Sequence, residues 1–208
     1  MNTLTRRLTT LGLCLTATPA LCASMTDITV TGTITPSACT PRLSESGIVN
    51  HGEIPARSLN QFEYTPLPGK SLELNVECNE AVLFVLVGVD NRADSSLGPG
   101  FFYGLGHNVH NPTERLGTVA LAYGEVTSDG ERVLVLASSN QGQTWFPETN
   151  AYPDNYMGFA KPGTLVPEPH RELKAALHIA TSINAAAYLT LTQAVPLDGS
   201  IVIDLRYL

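Results

Sequence analysis

Ser71-Leu72-Glu73-Leu74-Asn75-Val76-Glu77-Cys78 alternates apolar and polar residues without a break. Successive side chains of an extended strand point to opposite faces, so Leu72, Leu74, Val76 and Cys78 share one face, with Glu73, Asn75 and Glu77 on the other. The stretch reads as a half-buried strand with Cys78 aimed inward. Working outward, the same period recurs. In residues 27–35, Ile28, Val30, Gly32 and Ile34 oppose Thr29, Thr31, Thr33 and Thr35. After the turn Leu197-Asp-Gly-Ser200, Ile201, Ile203, Leu205 and Tyr207 oppose Val202, Asp204, Arg206 and Leu208, and the sequence ends on that strand. Residues 82–89 are a continuous apolar run, as expected of a central strand. Further strands are predicted over 119–123 and 132–137, the second preceded by the hairpin signal Ser128-Asp-Gly130. Residues 173–180 are rich in helix formers, but Leu173, Ala175, Leu177 and Ile179 alternate with Lys174, Ala176 and His178. The alternation favours strand over the helical alternative. The Gly/Pro/Asn-rich stretch 143–169 reads as an extended loop, an excursion rather than a domain boundary. Short strands at regular spacing with turns between them describe an all-β sandwich.

Composition agrees. The 208 residues include 17 glycines and 14 prolines, and only 15% are charged, which argues against a coiled coil or a large α/β enzyme. The net charge is −7 with three lysines, so no basic face is available for nucleic acid or anionic lipid. Residues 1–23 carry Arg6 and Arg7, an apolar stretch from Leu8 to Leu15, and small residues leading to Ala23 before Ser24. This is the pattern of a secretory signal peptide. Leu21 before Cys22 argues against a lipoprotein signal, and the twin-arginine motif is incomplete. Removing the leader takes Arg6 and Arg7 with it and the net charge to −9. No later run reaches the ~18 apolar residues of a transmembrane helix. Cys14 and Cys22 leave with the signal, so Cys39 and Cys78 remain in an oxidising compartment and are expected to pair. Closing that loop should stabilise the fold by roughly 4 kcal/mol in the chain-entropy model.

Other constellations are weaker. Ser138-Ser-Asn-Gln-Gly-Gln-Thr-Trp145 resembles the Asp-box turn of sialidase propellers, with Asn140 in place of Asp, but occurs once where a propeller needs several. It reads as a lone hairpin turn. His107 and His110 lack a third metal ligand nearby, and Gly104-Leu-Gly106 is too short for a phosphate loop. Glu168, His170 and Glu172 sit among prolines with nothing to position them for acid–base chemistry. No catalytic residue, metal or cofactor is assigned, and the chain is not expected to be an enzyme. Trp145 follows both cysteines, unlike the buried Trp of antibody-type domains.

The stretch Ile28-Thr-Val-Thr-Gly-Thr-Ile-Thr-Pro-Ser-Ala-Cys39 resembles the amino-terminal segment of chaperone-usher fimbrial subunits (pilins). Val49-Asn-His-Gly-Glu-Ile54 is similar to the segment that follows there, Cys78 to the second cysteine, and Tyr207 to the penultimate tyrosine. The resemblance extends to fimbria-like secreted proteins of Gram-negative bacteria. Residues 98–169 have no counterpart in it, and Val195 stands where many pilins have glycine. The resemblance implies an immunoglobulin-like sandwich lacking its final strand, with a signal peptide over 1–23, a donor-strand extension over 24–36 and the pilin-like domain over 37–208. It implies that Ile28, Val30, Gly32 and Ile34 enter a neighbouring subunit's groove, and that Ile201, Ile203, Leu205, Tyr207 and Leu208 line the groove and meet a periplasmic chaperone. Partners would be that chaperone, an outer-membrane usher and neighbouring pilin subunits, with passage through the periplasm to a fimbrium or the cell surface and a contribution to cell adhesion. Two other classes stay open. One is a monomeric secreted carbohydrate-binding module or adhesin using Trp145, Phe146, Tyr152, Tyr156 and Phe159; those aromatics form a local core just as readily. The other is a hydrolase, supported only by the Asp-box echo.

Overall fold

A computed structural model describes residues 28–31 and 38–208. Its strands are β1 (Cys39–Leu43), β2 (Thr65–Pro66), β3 (Lys70–Val82), β4 (Phe84–Asp90), β5 (Tyr103–Gly104), β6 (His107–Asn108), β7 (Asn111–Arg115), β8 (Gly117–Ser128), β9 (Glu131–Arg132), β10 (Leu134–Ser138), β11 (Phe146–Pro147), β12 (Tyr156–Ala160), β13 (His170–Ile183) and β14 (Ile201–Tyr207). The first sheet runs β1-β3-β13-β8-β5, with β2 added on β13 and β9 on β8. A second runs β11-β10-β12-β4-β14, and β6 and β7 form a separate hairpin. All pairings are antiparallel, and the two large sheets pack as a sandwich.

Two strands change sheet with almost no connection. β3 ends at Val82 in the first sheet and β4 starts at Phe84 in the second; β9 ends at Arg132 and β10 starts at Leu134. Each crossing lets a single residue carry the chain from one layer to the other. The hairpin between β8 and β9 turns at Asp129 and Gly130, both at positive φ, as a two-residue hairpin turn requires.

Alternation places the core. Leu72, Leu74 and Val76 of β3, Val119, Leu121 and Tyr123 of β8, and Leu173, Leu177 and Ile179 of β13 face Phe84 and Leu86 of β4, Val135 and Ala137 of β10, and Met157 and Phe159 of β12. β13 is strand throughout: its side chains alternate buried and exposed, and it is paired on both sides, so packing overrides its helix-forming composition. Cys39 and Cys78 face each other across the β1–β3 ladder and form the disulfide, 39 residues apart in sequence. The bridge staples a short edge strand to the core and fits an oxidising, exported environment. No helix among the described residues is long and apolar enough to cross a membrane.

The stretch 143–169 departs from expectation. It holds β12, an interior strand of the second sheet whose Met157 and Phe159 are fully buried. Five residues between Pro153 and Pro162 sufficed, and the surrounding turn formers masked them. The rest of the stretch is shared between the sheets: β11 is an edge strand of the second, and residues 149–151 bond along β8 of the first, Tyr123 N–H donating to the Thr149 carbonyl and Ala151 N–H to that of Leu121. At Gly158 an added Cβ would lie 2.7 Å from Pro167 and 2.9 Å from Trp145, so glycine makes room for both rings. Of the strand expected over residues 27–35, residues 28–31 carry no regular secondary structure and Ile28 and Val30 are exposed; Gly32 and Ile34 lie outside the described residues.

Candidate functional site: an open apolar groove

Between the sheets lies a groove of about 1070 Å³. Its floor is the first sheet: Leu72, Leu121, Leu177, Ile179 and Ile183, with the hydroxyl of Thr181 among them. One side is β14, through Ile201 and Ile203, and the other is the segment 49–57. Leu189, Leu191, Val195 and Leu197, from the connection between β13 and β14, form the end wall.

Among the described residues, both long sides leave backbone groups free on the groove side. β14 is the edge of its sheet and bonds only to β4. Asn91 N–H donates to the Ser200 carbonyl, and Leu208 N–H to that of Leu83. Even-numbered positions therefore direct their backbone toward β4, while Ile201, Ile203, Leu205 and Tyr207 direct theirs outward. Opposite, residues 48–55 carry no regular secondary structure and turn at Gly52, which lies at positive φ with its N–H donating to Asn50 Oδ1; among the described residues none of them exchanges a backbone hydrogen bond with either sheet. Val49 packs on the core, and His51 Nε2 lies 3.0 Å from Thr181 Oγ1.

The end wall is held by side chains of the β6–β7 hairpin. The Glu114 carboxylate accepts from Thr190 N–H at 2.7 Å, Thr190 Oγ1 at 2.7 Å, Asn108 Nδ2 at 2.8 Å and Asn111 Nδ2 at 2.8 Å. These donors, led by the Thr190 amide, hold its pKa down to about 2. Asn108 Nδ2 also donates to the Thr190 carbonyl, and His110 Nε2 lies 3.1 Å from that of Ala194.

Of the residues singled out in the sequence, Ile201 and Ile203 line the groove, and Leu205 packs half-buried on the core. Tyr207 instead ties the sheets together, its hydroxyl accepting from Cys39 N–H at 2.9 Å. Leu208 is exposed. His107 lies 3.9 Å from Asp94, and no group of three potential metal ligands occurs among the described residues. His170 is buried, with Nδ1 2.6 Å from Ser128 Oγ, Nε2 3.0 Å from the Phe159 carbonyl, and Phe84 and Phe159 packed at its edge. Glu168 pairs with Lys161 and Glu172 with Lys174, so the three do not converge. The Asp-box echo is a closed hairpin loop: Gly142 N–H donates to Ser138 Oγ and Thr144 N–H to Asn140 Oδ1, with β10 and β11 as its arms. Phe159 is core and Trp145 covers Gly158, so the five aromatics do not share one exposed surface.

The fold and groove define a disulfide-stapled β-sandwich with an open apolar edge. A model of the family described as "Protein of unknown function (DUF1120)" matches residues 28–112. That range holds the amino-terminal alternation, Cys39, Cys78 and the segment 49–57 on one side of the groove. The chain is similar to "Uncharacterized protein YhcF" of Escherichia coli (strain K12), 26% identical over 227 residues, covering 92% of this chain and 94% of the relative. It is also similar to "Protein GltF" of the same organism, 31% identical over 97 residues, covering 42% of this chain and 38% of the relative.

Proposed function

We propose that the protein is a structural subunit, or subunit-like component, of a surface fimbria, joined to its neighbours by strand exchange and contributing to cell adhesion. One observation carries the reading: an apolar groove flanked on one long side by the free edge of β14, which pairs only with β4, and on the other by a segment that exchanges no backbone hydrogen bond with either sheet among the described residues. A sheet edge left open in this way is an aggregation hazard unless something pairs with it. An extended segment answers both needs, supplying backbone bonds to the edges and alternate apolar side chains to the floor. Residues 28–34 of a second copy have that pattern, with Ile28, Val30 and Ile34 as the inserted side chains and Gly32 at the tightest approach. Before joining, a periplasmic chaperone would cover the groove through Ile201, Ile203 and Leu205, and an outer-membrane usher would pass subunits to the surface. No catalytic step belongs to this reading.

Gly32→Arg tests it. In an exchanged strand, the bulky cation abolishes heat-labile, detergent-resistant multimers of the exported protein and leaves the monomer's Tm unchanged. In a strand belonging to the monomer's own sandwich, the same change lowers Tm through overpacking and a buried unpaired charge. A lowered Tm, together with no multimers in the parent protein, overturns the proposal.

A further inference from the structure

Among the described residues, the segment 48–55 is attached to the sandwich at one polar point. Val49 and Ile54 contribute apolar packing, but the hydrogen bond between His51 Nε2 and Thr181 Oγ1 is the one that ties the middle of the segment to a sheet among the described residues. Thr181 is 3% exposed and stands on the groove floor between Ile179 and Ile183. A hydroxyl buried among aliphatic side chains needs a partner, and the imidazole supplies it. The ring itself is half-buried on the rim, where a strand laid in the groove would cover it.

The charges around the ring are few. Lys70, at the start of β3, acts on it from the first sheet, and Glu53 and Arg57 lie on its own segment. The remaining groove lining, from β8, β13, β14 and the end wall, carries no charged side chain. A proton on His51 beneath an apolar strand would be a cation in a desolvated site beside a like charge, an arrangement relieved when the proton leaves or the strand does.

We infer that His51 is a pH-sensitive latch on the groove: with the ring neutral the groove accepts the extended segment of a second copy, and with the ring charged it refuses it. This rests on the strand-exchange reading and adds its regulation. Burial first, and Lys70 second, already hold the imidazole below its usual 6.5 in the open groove, and covering it lowers it further. The sign follows. Affinity is full above the open-groove value and falls by about tenfold per pH unit as acidification carries the ring through it, until the covered value is reached.

The test uses the full exported chain carrying Gly32→Arg, whose groove is intact but which cannot donate, and a labelled synthetic peptide of residues 27–36. Peptide affinity measured by fluorescence anisotropy between pH 7.5 and 4.5 should fall at least about tenfold, with folding checked by circular dichroism at each pH. Adding His51→Gln, an uncharged amide able to donate to Thr181, should flatten the profile. Affinity independent of pH, or an equal fall in the His51→Gln chain, overturns the latch while leaving the groove reading intact. No peptide binding at pH 7.5 overturns both. Should His51→Gln fail to fold, NMR titration of the His51 ring in the parent groove decides: its pKa must drop when peptide binds, and an unchanged or raised value overturns the latch.

Discussion

Tyr103 shows how single residues set the packing of this sandwich. Its ring is fully buried, and its hydroxyl donates to the Ala151 carbonyl at 2.7 Å. Burial pushes the phenol's pKa up, keeping it a neutral donor. Gly88 on β4 leaves the space for it, since a Cβ there would lie 2.0 Å from the Tyr103 oxygen. Tyr103→Phe should therefore cost about 1–2 kcal/mol, leaving the Ala151 carbonyl without its partner, as measured by urea denaturation. Gly88 and Tyr103 are both legible as residues, but 15 positions of sequence separate them and no local pattern announces that they meet.

Among the elements, the β6–β7 hairpin is the one whose role the sequence concealed. It belongs to neither large sheet, yet its Glu114 fastens the connection between β13 and β14 that forms the groove's end wall. Because the folded-state value lies below the usual carboxylate range, the clasp stabilises the protein fully above about pH 4.5, and that stabilisation is lost as pH falls toward 2. Glu114→Gln, which titrates no proton, should flatten the decline in stability between pH 4.5 and 2, as followed by thermal melting across that range. The same variant should raise amide hydrogen exchange in residues 189–197 while leaving β13 protected. An identical acid profile in both proteins would remove the clasp from the account. A Glu surrounded by Asn and Thr looks like a polar loop in sequence; its partner Thr190 is 76 residues away.

For the whole molecule, the consequence is an apolar groove left open between the sheets. A groove of about 1070 Å³ floored by aliphatic side chains should take up an apolar reporter dye, and filling it should exclude the dye. The monomer is expected to enhance the fluorescence of 1-anilinonaphthalene-8-sulfonate at neutral pH with intact near-UV circular dichroism, which separates an open groove from a molten core. Ile203→Arg should reduce the enhancement severalfold, and multimers should show little. Strong dye binding that persists in both would place the apolar surface elsewhere.

The sequence by itself determined the long amphipathic strands and the bridge. Period-two alternation at Leu72–Cys78, Leu173–Ile179 and Ile201–Tyr207 is a local property of the backbone, so it survives into the fold, and two cysteines in an oxidising compartment have one way to pair. Alternation says only that Ile201 and Ile203 share a face; that the face borders a groove came from the fimbrial resemblance, and both residues line the groove between the sheets. What tertiary structure alone decided is which edges stay open and which groups meet across them. β12 became an interior strand through partners distant in sequence, His51 met Thr181 over a separation of 130 residues, and Glu114 reached the end wall only because the hairpin folds back on it. Side-chain hydrogen bonds depend on approach within about 3 Å, and approach is set by the packing of whole sheets rather than by any spacing along the chain.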